Sequence, residues 1–223
     1  MFDKKNNSHF FIICCFFLFL PQLLSAHAIA DLSKFSRTDV ALIYLKLGFT
    51  HIIPLGIDHI LFVLSLFFLN PKLKVVIWQA TAFTVAHSIT LGLAMYGLIT
   101  PPTYIIEPVI ALSIMFVAIE NIISDKLKPS RILIVFGFGL VHGMGFASAL
   151  TGLGLPQNQF LTSLITFNLG VELGQLTVIL FAWFLIGKWF HKKKWYRKRV
   201  VIPISSVIAV IALYWTIERT FFP

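Results

Sequence analysis

The sequence predicts an all-α fold, a polytopic membrane bundle of about six transmembrane helices, and three observations predict it. Hydrophobic residues make up 58% of the chain and charged residues only 12%, against about a quarter charged in soluble chains. Mean hydropathy is +0.88, and 23 phenylalanines suit helices that face lipid. Apolar runs long enough to span a bilayer also alternate with short polar gaps, and basic residues fall in every second gap. No low-complexity tract or Gly/Ser linker divides the chain, so residues 29–223 read as one membrane domain.

Residues 1–28 read as a cleaved secretory signal peptide. Lys4 and Lys5 form a positive start, an apolar run rich in phenylalanine covers 10–20, and Ala26-His27-Ala28 is a small-x-small cleavage pattern before Ile29. The rival reading is an uncleaved first helix. Cys14 and Cys15 both lie in this segment, so cleavage leaves a mature chain with no disulfide and no thiolate metal ligand.

After a polar stretch at 31–39, an amphipathic segment at 40–49 leads into the first long apolar run. Spans are expected near 50–69, 75–99, 104–123, 131–150, 161–187 and 200–217. Lys72 and Lys74 follow the first; Lys126, Lys128 and Arg131 follow the third. Lys188, Lys192, Lys193, Lys194, Arg197, Lys198 and Arg199 follow the fifth, while 100–103 and 151–160 carry no charge. This positive-inside pattern places both mature termini outside a bacterial inner membrane. Topology also accounts for the net charge of +9, so no nucleic-acid partner is inferred; the partner is the lipid bilayer. Trp189, Trp195 and Tyr196 would then sit at the headgroup level.

An ionisable group at mid-bilayer costs roughly 2.5–3.5 kcal/mol on insertion scales, so such groups are presumed functional. On one continuous first span, His51 would share a face with Asp58 or His59, about two turns on. The second span carries His87, and the third carries Glu107 near its start and Glu120-Asn121 near its end. The fourth carries His142, and the fifth carries Asn168, Glu172 and Gln175 on one face. Counting from the loops puts Asp58, His59, His87, His142, Asn168 and Glu172 near mid-depth. His51 and Glu107 fall toward the outer face, and Glu120 and Asn121 toward the cytoplasmic one. The sixth span contributes nothing to this set. Gly137, Gly139, Gly143, Gly145, Gly170 and Gly174 around these groups fit close helix approach.

Asp58, His59, His87, His142 and Glu172 are therefore the candidate metal ligands, with His51, Glu107, Glu120, Asn121, Asn168 and Gln175 as access or supporting groups. Imidazole with carboxylate suits Ni²⁺, Zn²⁺, Co²⁺ or Fe²⁺, and ligand type alone does not choose among them. Asp58 points away from its neighbour His59 within one helix and is expected to serve a histidine on another span. Two functions use these residues: a divalent-metal permease, or an intramembrane zinc hydrolase acting on a lipid or membrane peptide. A scaffold protein is the third reading. A permease needs polar groups toward both faces, whereas an enzyme can work from a single closed pocket.

The motifs His51-x6-Asp58-His59-Ile-Leu-Phe62, Phe83-Thr-x2-His87-Ser-Ile-Thr-Leu91 and Glu120-Asn121 resemble the HupE/UreJ family of hydrogenase and urease accessory membrane proteins. Phe138-Gly-Leu-x-His142-Gly-x-Gly-Phe146 and Phe167-Asn-x-Gly-Val-Glu172-x-Gly-Gln175 extend the resemblance over about residues 45–185. It implies nickel handling, most simply uptake, in the service of metalloenzyme maturation proteins. The first motif is one residue longer than the His-x4/5-Asp-His helix motif of related nickel permeases, which marks a divergent branch.

Overall fold

A computed structural model describes residues 35–100, 102–151 and 157–222, and every regular element among them is helical. The signal-peptide expectation for residues 1–28, including Cys14 and Cys15, lies outside the described residues.

Helix α1 (Arg37–Ile52) starts at Ser36, whose Oγ accepts the Asp39 backbone N–H at 3.2 Å, with the Asp39 carboxylate in the first turn. Val40, Tyr44, Gly48 and Ile52 recur every fourth residue and form its buried stripe. That stripe lies on α6 (Phe160–Ala182). A Cβ at Gly48 would strike the Phe167 carbonyl and one at Gly170 the Leu45 carbonyl, so the two backbones nearly touch.

Pro54 has no N–H to continue α1. At Gly56 the chain folds so closely under the His51 carbonyl that a Cβ would collide with it. Helix α2 (Ile57–Leu69) leaves this break at 68° to α1. The expected continuous helix over 50–69 is thus corrected: residues 53–56 interrupt it, and residues 40–49 are the body of a packed helix instead of a lead-in.

Helix α3 (Leu73–Met95) ends in a glycine cap. Gly97 has φ +76°, its N–H reaches Ala94 O at 3.0 Å, and the Leu98 N–H reaches Leu93 O at 3.0 Å. Helix α4 (Thr103–Ile123) and helix α5 (Arg131–Thr151) follow. Helix α6 runs on through a π-helical turn (Trp183–Gly187) to Phe190. Helix α7 (Ile202–Phe221) is preceded by a second π-helical turn, Arg197–Val201.

The largest interfaces pair α3 with α5, α1 with α6 and α4 with α7, and α2 sits among them against α4 and α6. Small residues again allow the approach: a Cβ at Gly139 would meet Phe83 O, and one at Gly143 would meet His87 O. Gly137 has open space around it and plays no such part. Helices α3, α5 and α7 run one way and the others run back. One end, flanked by Lys72, Lys74, Lys126 and Lys128, is the basic end.

Among the described residues, α3, α4, the α6 run to Phe190 and the α7 run from Arg197 are long and apolar enough to cross a bilayer. The bent α1–α2 pair makes a fifth such span, and the apolar stretch described in α5, Arg131–Ala147, is shorter. Leu133, Leu161, Ile165, Phe181 and Val210 are each at least 65% exposed on the outside of the bundle. So much outward apolar surface is stable against lipid, and the fold is that of a helical membrane protein.

Candidate metal centre

The α1–α2 break builds the centre. It ends α1 at Ile52, just after His51, and starts α2 at Ile57, just before His59, so that the two rings meet with centroids 4.7 Å apart. His87 of α3 faces both, 6.2 Å from the His51 ring and 5.9 Å from the His59 ring. One ring nitrogen from each of the three lies within 4.8 Å of the others. Nε2 of all three is buried with no hydrogen-bond partner in the protein. A buried polar atom left so costs about 1–3 kcal/mol. Single atoms such as Gln79 Oε1 and Ser65 Oγ are left likewise, and it is the convergence of three imidazoles that sets this cluster apart.

The tautomer of His87 follows from its neighbours. Asn168 Nδ2 donates to Leu164 O at 2.8 Å, which fixes the amide with Oδ1 toward His87 Nδ1 at 3.2 Å. An amide oxygen only accepts, so Nδ1 carries the proton and Nε2 keeps its lone pair for a ligand. The same logic applies to His142 of α5. Ser113 Oγ donates to Ile110 O at 2.7 Å and therefore accepts from His142 Nε2 at 2.9 Å. That leaves His142 Nδ1 as the free lone pair, buried and unpartnered. The His142 ring stands 5.1 Å from His59, beside the three-histidine group but not within it.

A cavity of about 480 Å³ connects the centre with the end opposite the basic one. Glu107, Arg219 and Asp58 line its mouth, and His51, His59 and His142 line its depth. Toward the basic end, each helix places a phenylalanine one turn from its histidine: Phe62 after His59, Phe83 before His87, Phe138 before His142. Phe62 lies 4.9 Å from Phe83 and 6.2 Å from Phe138, and these rings form a floor under the histidines.

Several expected placements differ. His51 is not above the mid-depth group but in it, because depth counted along one straight helix fails where the helix breaks. Asp58 does not reach a histidine; Arg219 of α7 takes it at 2.9 Å, so the last helix is not a bystander. Glu172 accepts from Thr81 Oγ1 at 2.6 Å, and Gln175 Oε1 lies 3.5 Å from Thr84 Oγ1. Both are nearer the basic end than His87, because α6 runs antiparallel to α3, and Glu172 is outside the histidine group.

Glu120 and Asn121 do not lead openly inward. Arg131, 1% exposed, donates to Glu120 Oε2 at 2.8 Å, to Asn121 Oδ1 at 3.2 Å and to Ser65 O at 3.3 Å. Asn121 also donates to Ser65 O at 2.7 Å and to Ser205 Oγ at 3.3 Å. Arg131, counted above among loop cations, is therefore a buried partner. Arg219, Ser113 and the phenylalanine floor were missed as well. The His–Phe spacing of three or four residues on three helices was the available signal for the floor; nothing local marks Arg219.

A helical membrane protein with a buried cluster of lone-pair imidazoles is thus the class that the fold and site define. The profile of the HupE / UreJ protein family matches residues 27–219, and the chain belongs to that family. No curated protein and no solved structure matches the chain. The family is one of membrane proteins linked to nickel and cobalt handling.

Proposed function

We propose that the protein is a permease for a divalent metal ion, nickel first and cobalt next, supplying metalloenzyme maturation. The observation that carries this reading is the convergence of His51, His59 and His87, each with a ring nitrogen within 4.8 Å of the others and each with a buried, unpartnered Nε2. A tetrahedral site with metal–nitrogen bonds of about 2.0–2.1 Å needs nitrogens about 3.3 Å apart. The three rings are thus near enough to close on one ion with small side-chain adjustments. Ni²⁺ is the substrate, His51, His59 and His87 its central ligands, and His142 the next imidazole it meets. By the positive-inside rule the basic end is cytoplasmic, so the cavity opens outward.

The phenylalanine floor closes the path, and polar groups resume below it at Asn121, Arg131 and Glu172. A carrier open to one side at a time has this arrangement, with its site near mid-depth. The ion then passes when the floor moves, and no continuous pore is required.

The test is Ni²⁺ uptake by liposomes containing the purified protein, with metal analysis of the same preparation. Saturable uptake is expected, competed by Co²⁺. Zn²⁺ that stays bound through dialysis against chelator, together with no flux of any divalent ion, would overturn the proposal in favour of a metalloenzyme.

A further inference from the structure

The mouth of the cavity already holds a cation that belongs to the chain. Arg219 Nη2 is 2.9 Å from Asp58 Oδ2, its Nε is 3.7 Å from Glu107 Oε2, and its Nη1 lies 3.4 Å from Glu107 O. The guanidinium also stands 5.3 Å over the Trp215 ring, one turn back on α7. The three charged side chains are partly open to solvent: Arg219 is 20% exposed, Asp58 28% and Glu107 50%. On the same cavity wall His59 is only 6% exposed, and its Nε2 has no partner. Two carboxylates leading to a free imidazole nitrogen make a donor set for a borderline divalent ion. A guanidinium cannot deprotonate and cannot coordinate, so its position between those carboxylates opposes such an ion.

We propose that Asp58 and Glu107 form a second divalent-cation site at the mouth, and that Arg219 is its built-in competitor, a tethered monovalent cation that the incoming metal must displace. This deepens the permease reading and rests on it. Replacing the guanidinium with Na⁺ or K⁺ exchanges one unit charge for another and forfeits the Arg219 hydrogen bond to Asp58. A divalent ion brings twice the charge to the same two carboxylates and alone gains from the exchange. Discrimination against abundant monovalent ions is therefore set by a repulsive element as well as by ligands. Arg219 lies in the last turn of α7, where only two helical residues follow it, so its side chain can swing out without unpacking the helix.

The experiment is titration of Ni²⁺ into the purified full-length protein in detergent, comparing wild type, R219Q and the double variant D58N/R219Q. R219Q is expected to bind on the order of tenfold more tightly, and the double variant to lose that gain. Tighter binding by R219Q, or binding by R219Q alone, supports the competitor. Binding by wild type with equal or weaker binding by R219Q overturns it and leaves the permease reading standing. Absence of binding in wild type and R219Q overturns both.

A second measurement needs no change at the ion pair. Zn²⁺, which does not quench tryptophan paramagnetically, is expected to alter the emission of the wild-type protein as Arg219 leaves Trp215, and W215F is expected to lack that change. Zn²⁺ binding to wild type with no Trp215-dependent change overturns the proposal, even if R219Q does not fold.

Discussion

The histidine centre and the Arg131 network are both buried polar assemblies drawn from several helices, yet they differ in one respect. Around Arg131 the charged and amide heads find partners: its two terminal nitrogens reach Glu120, Asn121 and Ser65, and Asn121 reaches Ser65 and Ser205, leaving only the weaker Arg131 Nε and Ser65 Oγ unpaired. Arg197 adds to this end by donating to Ile122 O at 2.8 Å and Ser124 O at 2.7 Å, satisfying carbonyls at the end of α4. Around His51, His59 and His87 the fold leaves the same kind of atom unpaired three times over. Burial with partners holds helices together; burial without partners keeps lone pairs for something else. Location inside a membrane, taken alone, does not separate the two.

Crossed substitutions break this comparison most severely. R131A leaves the Glu120 carboxylate without its counter-charge and Asn121 Oδ1 without its donor, and removing one partner of a buried pair typically costs about 3–5 kcal/mol. Loss of monodisperse protein in detergent, or a large drop in melting temperature, is the expected result. H59A with H87A removes no ion pair, only the His87–Asn168 hydrogen bond and two buried rings, so the melting temperature should fall less than in R131A while Ni²⁺ uptake falls to background. Uptake that survives the double substitution, or an R131A protein as stable as wild type, would show that the two regions are not distinguished by pairing.

The next effect is smaller and tests the imidazole tautomer. Asn168 presents an acceptor to His87 Nδ1 and so keeps the proton off Nε2. N168L removes that acceptor, and loss of such an outer hydrogen bond typically lowers metal affinity about 10–100-fold. N168D retains an acceptor oxygen and is expected to recover most of the affinity. Titration of Ni²⁺ into the three proteins checks this; equal affinities would mean that Asn168 does not orient the ring.

Much of this architecture was legible in the sequence. Apolar run length and composition predicted an all-helical membrane bundle, because the length of a spanning helix and the cost of intramembrane charge are local properties. His59, His87 and His142 stood out for the same reason. The break at residues 53–56 was less legible, although Pro54 and Gly56 were its visible signs; counting straight through them misplaced His51. Partners from distant sequence were not legible at all. Asp58 with Arg219, Arg131 with Glu120, and Glu172 with Thr81 depend on which helices pack together, and the α4–α7 and α3–α6 contacts follow from tertiary fit rather than from periodicity.

The smallest expected effect concerns the boundary between the two regions. Phe62, 0% exposed, and Phe83, 1% exposed, lie between the histidines and the Arg131 network, and both rings also touch His142, at 5.4 Å and 4.9 Å. F83A opens space that water can enter only if polar groups lie within reach to bind it. The free His142 Nδ1 on one side and Gln79 Oε1 and Gln175 Nε2 on the other offer such groups. A hydrated gap would let metal slip past without the full conformational cycle. Ni²⁺ uptake by F83A liposomes is then expected to lose saturation and to rise at high concentration by about two- to threefold, while F83L, which refills the space with an apolar side chain, stays saturable. If F83A remains saturable at wild-type rates, the floor is packing alone and the barrier to the ion lies closer to Arg131.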